Sequence, residues 1–162
     1  MKKTFIIIFI ISLISIPAAI YLLDKETFLC PIEYGYDFVI RNDSMGEGQF
    51  GAKRSGGRLH NGIDLFADIW APVRASNCGI VVASESSRGM GKFVVIKHPG
   101  SVSTVYGHLN ELCVKEGQFV RQGDIIGKVG KTGNANYRSM DAHLHLEIRK
   151  NGSPQEPLDY LE

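Results

Sequence analysis

The residues in this chain best suited to chemistry are histidines. Near the C-terminus, Ala142-His143-Leu144-His145-Leu146-Glu147-Ile148 alternates strictly between apolar and polar side chains. Period-two alternation marks a β-strand with one buried face. It turns His143 and His145 to the same side, one pleat apart. Two imidazoles on one face can share a metal ion, or one can bind it while the other handles protons. A His-x-His pair alone is a weak signal, so the rest of the chain has to supply partners.

A second cluster is His60-Asn61-Gly62-Ile63-Asp64. An even spacing puts His60 and Asp64 on one face of an extended segment, and a spacing of four does so on a helix. Gly62 and the flanking Gly56-Gly57 argue against helix. An imidazole and a carboxylate converging on one point are ligands suited to zinc; the alternative is a surface His–Asp pair. His108 follows Ser103-Thr104-Val105-Tyr106-Gly107. A histidine just past a strand end, beside glycine, is free to point into a cleft. His98, in His98-Pro99-Gly100, is read as a turn residue. Four of the five histidines and Asp64 thus sit at junctions that could converge.

The elements that must position them are short and β-rich. Pro72–Ala75 and Gly79–Ala83 read as strand, turn, strand, and Ser84–Gly91 as a loop. Phe93–Ile96 is an apolar strand expected to be central. Gly117–Gly127 places turns around short strands, and Lys131–Asn136 is a loop leading to the His143/His145 strand. Arg41–Gly48 and Gly51–Gly57 read as loops. The 18 glycines, and the lack of amphipathic helical periodicity after the N-terminus, predict an all-β domain, mainly antiparallel, with long loops.

Lys+Arg is 18 and Asp+Glu is 17. No basic surface argues for nucleic acid. Lys2-Lys3 precede Phe5–Leu23, a run without charge. As a helix it would span about 28 Å, near the thickness of a bilayer core. The flanking lysines put its N-terminal side in the cytoplasm. A cleavable signal segment is the competing expectation, although Ile16-Pro17-Ala18-Ala19 is a poor cleavage site. Either way the remainder is exported, and a single-pass membrane anchor is the favoured form. The expected organisation is 1–23 anchor or signal, 24–47 a stalk or arm, and 48–162 one domain. Fully extended, the stretch from Asp24 to Phe50 would reach at most about 90 Å. Three cysteines leave at least one unpaired. Cys78 with Cys113 is the expected pair if a disulfide forms, and free thiols are the alternative.

Taken together, these motifs resemble the M23 family of zinc metallopeptidases, the lysostaphin-like (LytM-type) peptidoglycan endopeptidases. The resemblance rests on His60-Asn61-Gly62-Ile63-Asp64, Tyr106-Gly107-His108-Leu109 and His143-Leu144-His145. Phe50-Gly51-Ala52-Lys53-Arg54, Gly117–Gly123, Gly130-Lys131-Thr132-Gly133 and Glu147-Ile148-Arg149 extend it. It covers about Gly46 to the C-terminus.

The resemblance implies a LytM/lysostaphin-like sheet whose long loops form a groove. It also implies one zinc held by His60, Asp64 and His145, with His108 and His143 as a non-ligand catalytic pair. Three protein ligands leave one position open, as catalytic zinc requires. No His-Glu-x-x-His helix exists here, so the two spare imidazoles take the place of its glutamate base. Glu147 faces the histidine side and is either a partner of a ligand or a solvent-facing charge. The implied substrate is the stem or cross-bridge peptide of bacterial peptidoglycan, outside the cytoplasmic membrane.

Three rivals follow. One is a catalytically inactive member of the fold that regulates cell-wall amidases. Such members look degenerate at the metal positions, and here all five functional positions, the three metal positions among them, are intact. Another is a peptidase acting on an exported protein. The third is a biotinyl or lipoyl carrier, suggested by Gly117–Gly127; it leaves the histidines unexplained, and Lys131 lacks the carrier context.

Overall fold

A computed structural model describes residues 28–32 and 38–161. The expected segment at 1–23 lies outside these residues. Among those described, no helix is long and apolar enough to cross a membrane.

The strands run in order β1 (Asn42–Asp43), β2 (Gly46–Glu47), β3 (Ile63–Phe66), β4 (Pro72–Arg74), β5 (Gly79–Ser87), β6 (Gly91–Lys97), β7 (Val102–Leu112), β8 (Phe119–Val120), β9 (Ile125–Val129), β10 (His143–Lys150) and β11 (Ser153–Gln155). Short 3-10 turns are the only helical elements described. β1 and β2 form a hairpin, and the other nine strands form one sheet ordered β11-β10-β7-β6-β5-β8. β3 pairs with β10, and β9 with both β4 and β7. All these strand pairings are antiparallel, as the all-β expectation requires.

Alternation explains the core. Ile63 and Leu65 of β3, Val94 and Ile96 of β6, and Leu144 and Leu146 of β10 are fully buried in one cluster with Tyr106, Leu109 and Ile126. The polar side of β10 is closed as well. His143, His145 and Glu147 are all buried, so the strand expected to be half-buried is covered on both faces.

Several local expectations change. Ser84–Ser87 continue β5 instead of looping, because they pair in register with Gly91–Val94. The connection shrinks to residues 88–90. Cys30, Cys78 and Cys113 are all free thiols, so the Cys78–Cys113 pair does not form. The described parts of the 24–47 segment pack on the domain. Phe28 pairs with Leu161, and Ile32 joins the core. Ile40 pairs with Leu65, and Phe66 N donates to Val39 O at 2.7 Å.

His98 is a buried structural residue. Its Nδ1 lies 2.8 Å from Cys78 O and its Nε2 2.8 Å from Thr104 Oγ1. The Phe28 ring stands edge-on to it at 5.3 Å. Nδ1 must carry the proton, because a carbonyl can only accept. Burial pulls this imidazole from 6.5 down to about 4, against the pull of the Cys78 carbonyl.

A histidine held neutral in the fold stabilises it above the unfolded value, and loses that contribution as pH falls from 6.5 to about 4. The shift corresponds to about 3 kcal/mol. Urea melts between pH 7 and pH 4 should show this loss. The His98→Gln variant should start less stable at pH 7 and lose less on acidification.

Candidate metal centre

β10 carries the centre, and its neighbours complete it. The register sets Asp64 of β3 directly across from His145, and Gly107 of β7 across from it on the other side. A side chain at Gly107 would begin 3.4 Å from His145 Cβ and 3.1 Å from Met90 Cε, so glycine keeps this row open. His60 enters from the loop before β3, where its N–H donates to Ala52 O at 2.9 Å and its carbonyl accepts from Gly51 N at 2.9 Å. Between them, Gly62 lies so close to β10 that a Cβ would meet Leu146 O at 2.1 Å. Any larger residue would push the His60–Asp64 segment away from His145.

His108 sits within β7, where sequence reading placed it past a strand end. The pairs Lys92↔Leu109 and Val94↔Tyr106 leave two β7 residues, Gly107 and His108, opposite Phe93 alone. This is a β-bulge, a device that re-aims a side chain. His108 takes a left-handed φ of 62°, rare for a residue with a Cβ. The price of that conformation is accepted where surrounding contacts over-determine it. Here His108 N donates to Met90 O at 2.8 Å, and Nδ1 donates to Thr132 O at 2.9 Å. Thr132 is itself fixed by Gly133, whose φ is +66° and whose would-be Cβ lies 2.2 Å from Gly91 N.

All five sequence-predicted residues converge. His60, Asp64, His108, His143 and His145 are each no more than 9% exposed. His60 Nε2 lies 3.0 Å from His145 Nδ1 and 3.1 Å from Asp64 Oδ1, and His145 Nδ1 lies 2.9 Å from the same oxygen. This near-equilateral triangle suits three corners of a tetrahedron around zinc, whose ligand bonds of about 2.0–2.1 Å imply edges of roughly 3.3 Å.

The outer nitrogens agree. His60 Nδ1 faces Gln49 O at 2.8 Å, and His145 Nε2 faces Glu147 Oε1 at 3.1 Å. Both partners only accept, so in neutral imidazoles these nitrogens hold the protons. The inner nitrogens and Asp64 Oδ1 then present three lone pairs to one point, an arrangement that calls for a cation. Without one, a proton serves. Burial disfavours charge on His145, but Asp64 and Glu147 outweigh it and raise the imidazole to about 9. Burial opposes ionisation of Asp64 too, and the His145 and His60 contacts reverse this, holding its carboxyl far below the usual range.

His108 and His143 stand beside the triangle. Their ring centroids are 5.1 Å apart, and His108 is 5.7 Å from His145. His143 Nδ1 donates to Asp141 O at 2.7 Å, and its Nε2 lies 3.8 Å from Asp64 Oδ1. In both rings the Nδ1 proton is committed to a carbonyl, which leaves Nε2 as a lone pair. Burial first, then neighbouring His145 and His143, lower His108 to about 3. Burial also lowers His143, against Asp64. Both are neutral near pH 7.

Glu147 resolves to a partner of His145. It is 3% exposed, and Arg149 holds its second oxygen at 2.6 Å. Sequence reading missed Arg41 and Arg54, which both donate to Asp64 Oδ2, at 3.0 and 3.2 Å. It also missed Gln49 and Thr132, which act through main-chain carbonyls and leave no side-chain signal.

With this geometry in place, similarity to known proteins is informative. The profile of peptidase family M23 matches residues 58–157. The DD-carboxypeptidase/endopeptidase Mpg of Neisseria meningitidis serogroup B is 45% identical over 101 residues, 62% of this chain but 22% of Mpg. The chain therefore corresponds to under a quarter of that longer relative. A zinc-containing peptidase from Vibrio cholerae superposes with a TM-score of 0.66 at 29% identity, covering 81% of this chain and 39% of that one. SpoIIQ, in the SpoIIQ–SpoIIIAH pore-forming complex, superposes at 0.69 with 28% identity, covering 85% and 92%.

Proposed function

The chain belongs to peptidase family M23, and on that premise we propose that it is a zinc-dependent endopeptidase that hydrolyses stem or cross-bridge peptides of bacterial peptidoglycan. The observation that carries this reading is the triangle of three lone pairs with two neutral imidazoles beside it. His60, Asp64 and His145 would hold the ion, and Glu147 and Gln49 would keep the two ligand imidazoles in the required tautomer. When bound, zinc supplies a polarising charge for the scissile carbonyl and an acidified water.

The proton work falls to His108 and His143. A neutral imidazole with a bare Nε2 accepts the proton of an attacking water and then delivers it to the departing amine. The main-chain carbonyls of Thr132 and Asp141 hold each ring in that tautomer. Burial keeps both imidazoles in the neutral form that can accept.

The proposed enzyme is exported and works in the cell envelope. Phe5–Leu23 is proposed as its membrane anchor, and 48–162 as its catalytic domain, flanked by the docked segment 38–47. The second reading, a regulator without catalysis, draws on the likeness to SpoIIQ, which is described in a pore-forming complex. A peptidase acting on an exported protein is the third.

Digestion of purified sacculi by the full-length protein separates these readings. With zinc, mass spectrometry should find peptide-cleaved fragments, and a chelator should abolish them. A zinc-loaded protein that releases no such fragments from sacculi would overturn the peptidoglycan reading. Cleavage of an exported protein instead would favour the third reading, and no cleavage of either the second.

A further inference from the structure

The centre draws on chain that precedes residue 58, where the family match begins. Arg41 is 3% exposed. Its main chain is pinned on both sides: its N–H donates to Asp64 O at 2.8 Å, and its carbonyl accepts from Gly48 N at 2.8 Å. One terminal nitrogen of the guanidinium donates to Asp64 Oδ2 at 3.0 Å. The other donates to Asp43 Oδ1 at 2.6 Å and Gly46 O at 3.1 Å. Asp43 Oδ2 in turn accepts from Asp141 N at 2.8 Å. The carbonyl of Asp141 is the one that accepts from His143 Nδ1.

A single buried fork therefore lies between Asp64 and the turn that orients His143. It also divides the Asp64 oxygens. Oδ1 faces His60 and His145, while Oδ2 faces Arg41 and Arg54. Arg54 is the weaker holder, since its side chain is 25% exposed against 2% for Arg41. Burying a guanidinium is costly unless its bonds are well made; here two carboxylates and a carbonyl receive its terminal nitrogens, while Nε is buried without a partner.

We propose that Arg41 is a positioning residue of the metal centre. It holds Oδ2 so that Asp64 offers a cation Oδ1 alone, and through Asp43 it fixes the Asp141–His143 turn. The segment before the matched family region is thereby part of the site. This rests on the zinc reading of the triangle, and not on peptidase activity.

Its test uses the full-length protein, zinc competition against a chromophoric chelator, and cobalt as a spectroscopic probe. Arg41→Met should weaken zinc binding about ten- to hundred-fold, the usual effect of losing a residue that orients a ligand. It should also weaken the visible cobalt bands, because the released oxygen raises the coordination number. A loss of general packing would not change the bands in this way. Arg41→Lys should restore only part of both, since an ammonium cannot serve two carboxylates as a fork does.

Asp43→Ala should keep the cobalt spectrum and broaden the slowly exchanging Nδ1 proton signal of His143. Wild-type affinity and spectrum in Arg41→Met would overturn the proposal. If that variant does not fold by circular dichroism, wild-type affinity and spectrum in Arg41→Lys would do so instead. An unchanged His143 signal in Asp43→Ala would remove the second half. A wild type that binds zinc but cleaves nothing sinks the peptidase reading and leaves these measurements standing; one that binds no zinc sinks this proposal.

Discussion

Alanine at either His108 or His143 should leave zinc in place and lower turnover by about two to four orders of magnitude, the range set by loss of a positioned acid–base group. Neither ring is part of the triangle. His143 approaches Asp64 Oδ1 only to 3.8 Å, and His108 touches the cluster by ring contacts. Removing one of them leaves the three converging lone pairs intact. What disappears is a neutral imidazole whose bare Nε2 can take a proton. The loss should fall on kcat, because the proton moves in the transition state. Metal content by mass spectrometry and kcat on a defined peptidoglycan peptide test this. Loss of zinc in either variant would mean that ligand and catalyst have been exchanged.

His145→Ala should behave in the opposite order, losing the metal first and all activity with it. His145 contributes one corner of the triangle and spans from Asp64 to Glu147. Two remaining donors do not make a catalytic zinc site. The variant also leaves two buried carboxylates, at 3% exposure each, without their shared partner. Breaking a buried ionic contact on one side costs about 3–5 kcal/mol. A lower melting temperature, no retained zinc and no cleavage are the expected results. Wild-type zinc content in this variant would show that the ion sits elsewhere.

Much of this centre was legible in sequence because period-two alternation is geometrically strict. It gives His143 and His145 a common side whatever the strand packs against. The even spacing of His60 and Asp64 works in the same way. The fold class followed from many short strands and no helical period. What the sequence hid depends on pairing between distant segments. Ser84–Ser87 looked like a loop because polar residues there face solvent, yet β6 supplies the partner that makes them strand. His108 looked like a strand-end residue because a bulge has no signature beyond Gly107. Arg41 stood in a stretch without periodicity, and its role exists only once Asp43, Asp64 and Asp141 meet. The arm looked free because its docking residues, Phe28 and Ile32, are too few to form a pattern.

The pairing of Phe28 with Leu161 has a consequence for handling the molecule. The two segments run parallel and lie beside His98, at the end of β6. The histidine cluster is near the start of that strand, where His108 bonds to Met90. About six residues of extended chain separate the two ends, roughly 20 Å. Both ends of the described fold therefore leave from the corner remote from the chemistry. A surface support, a fluorescent label or a second binding module could be attached through either end without crowding the mouth of the site. Linking the two ends to each other, and reopening the chain at the 88–90 turn, would place new termini next to His108.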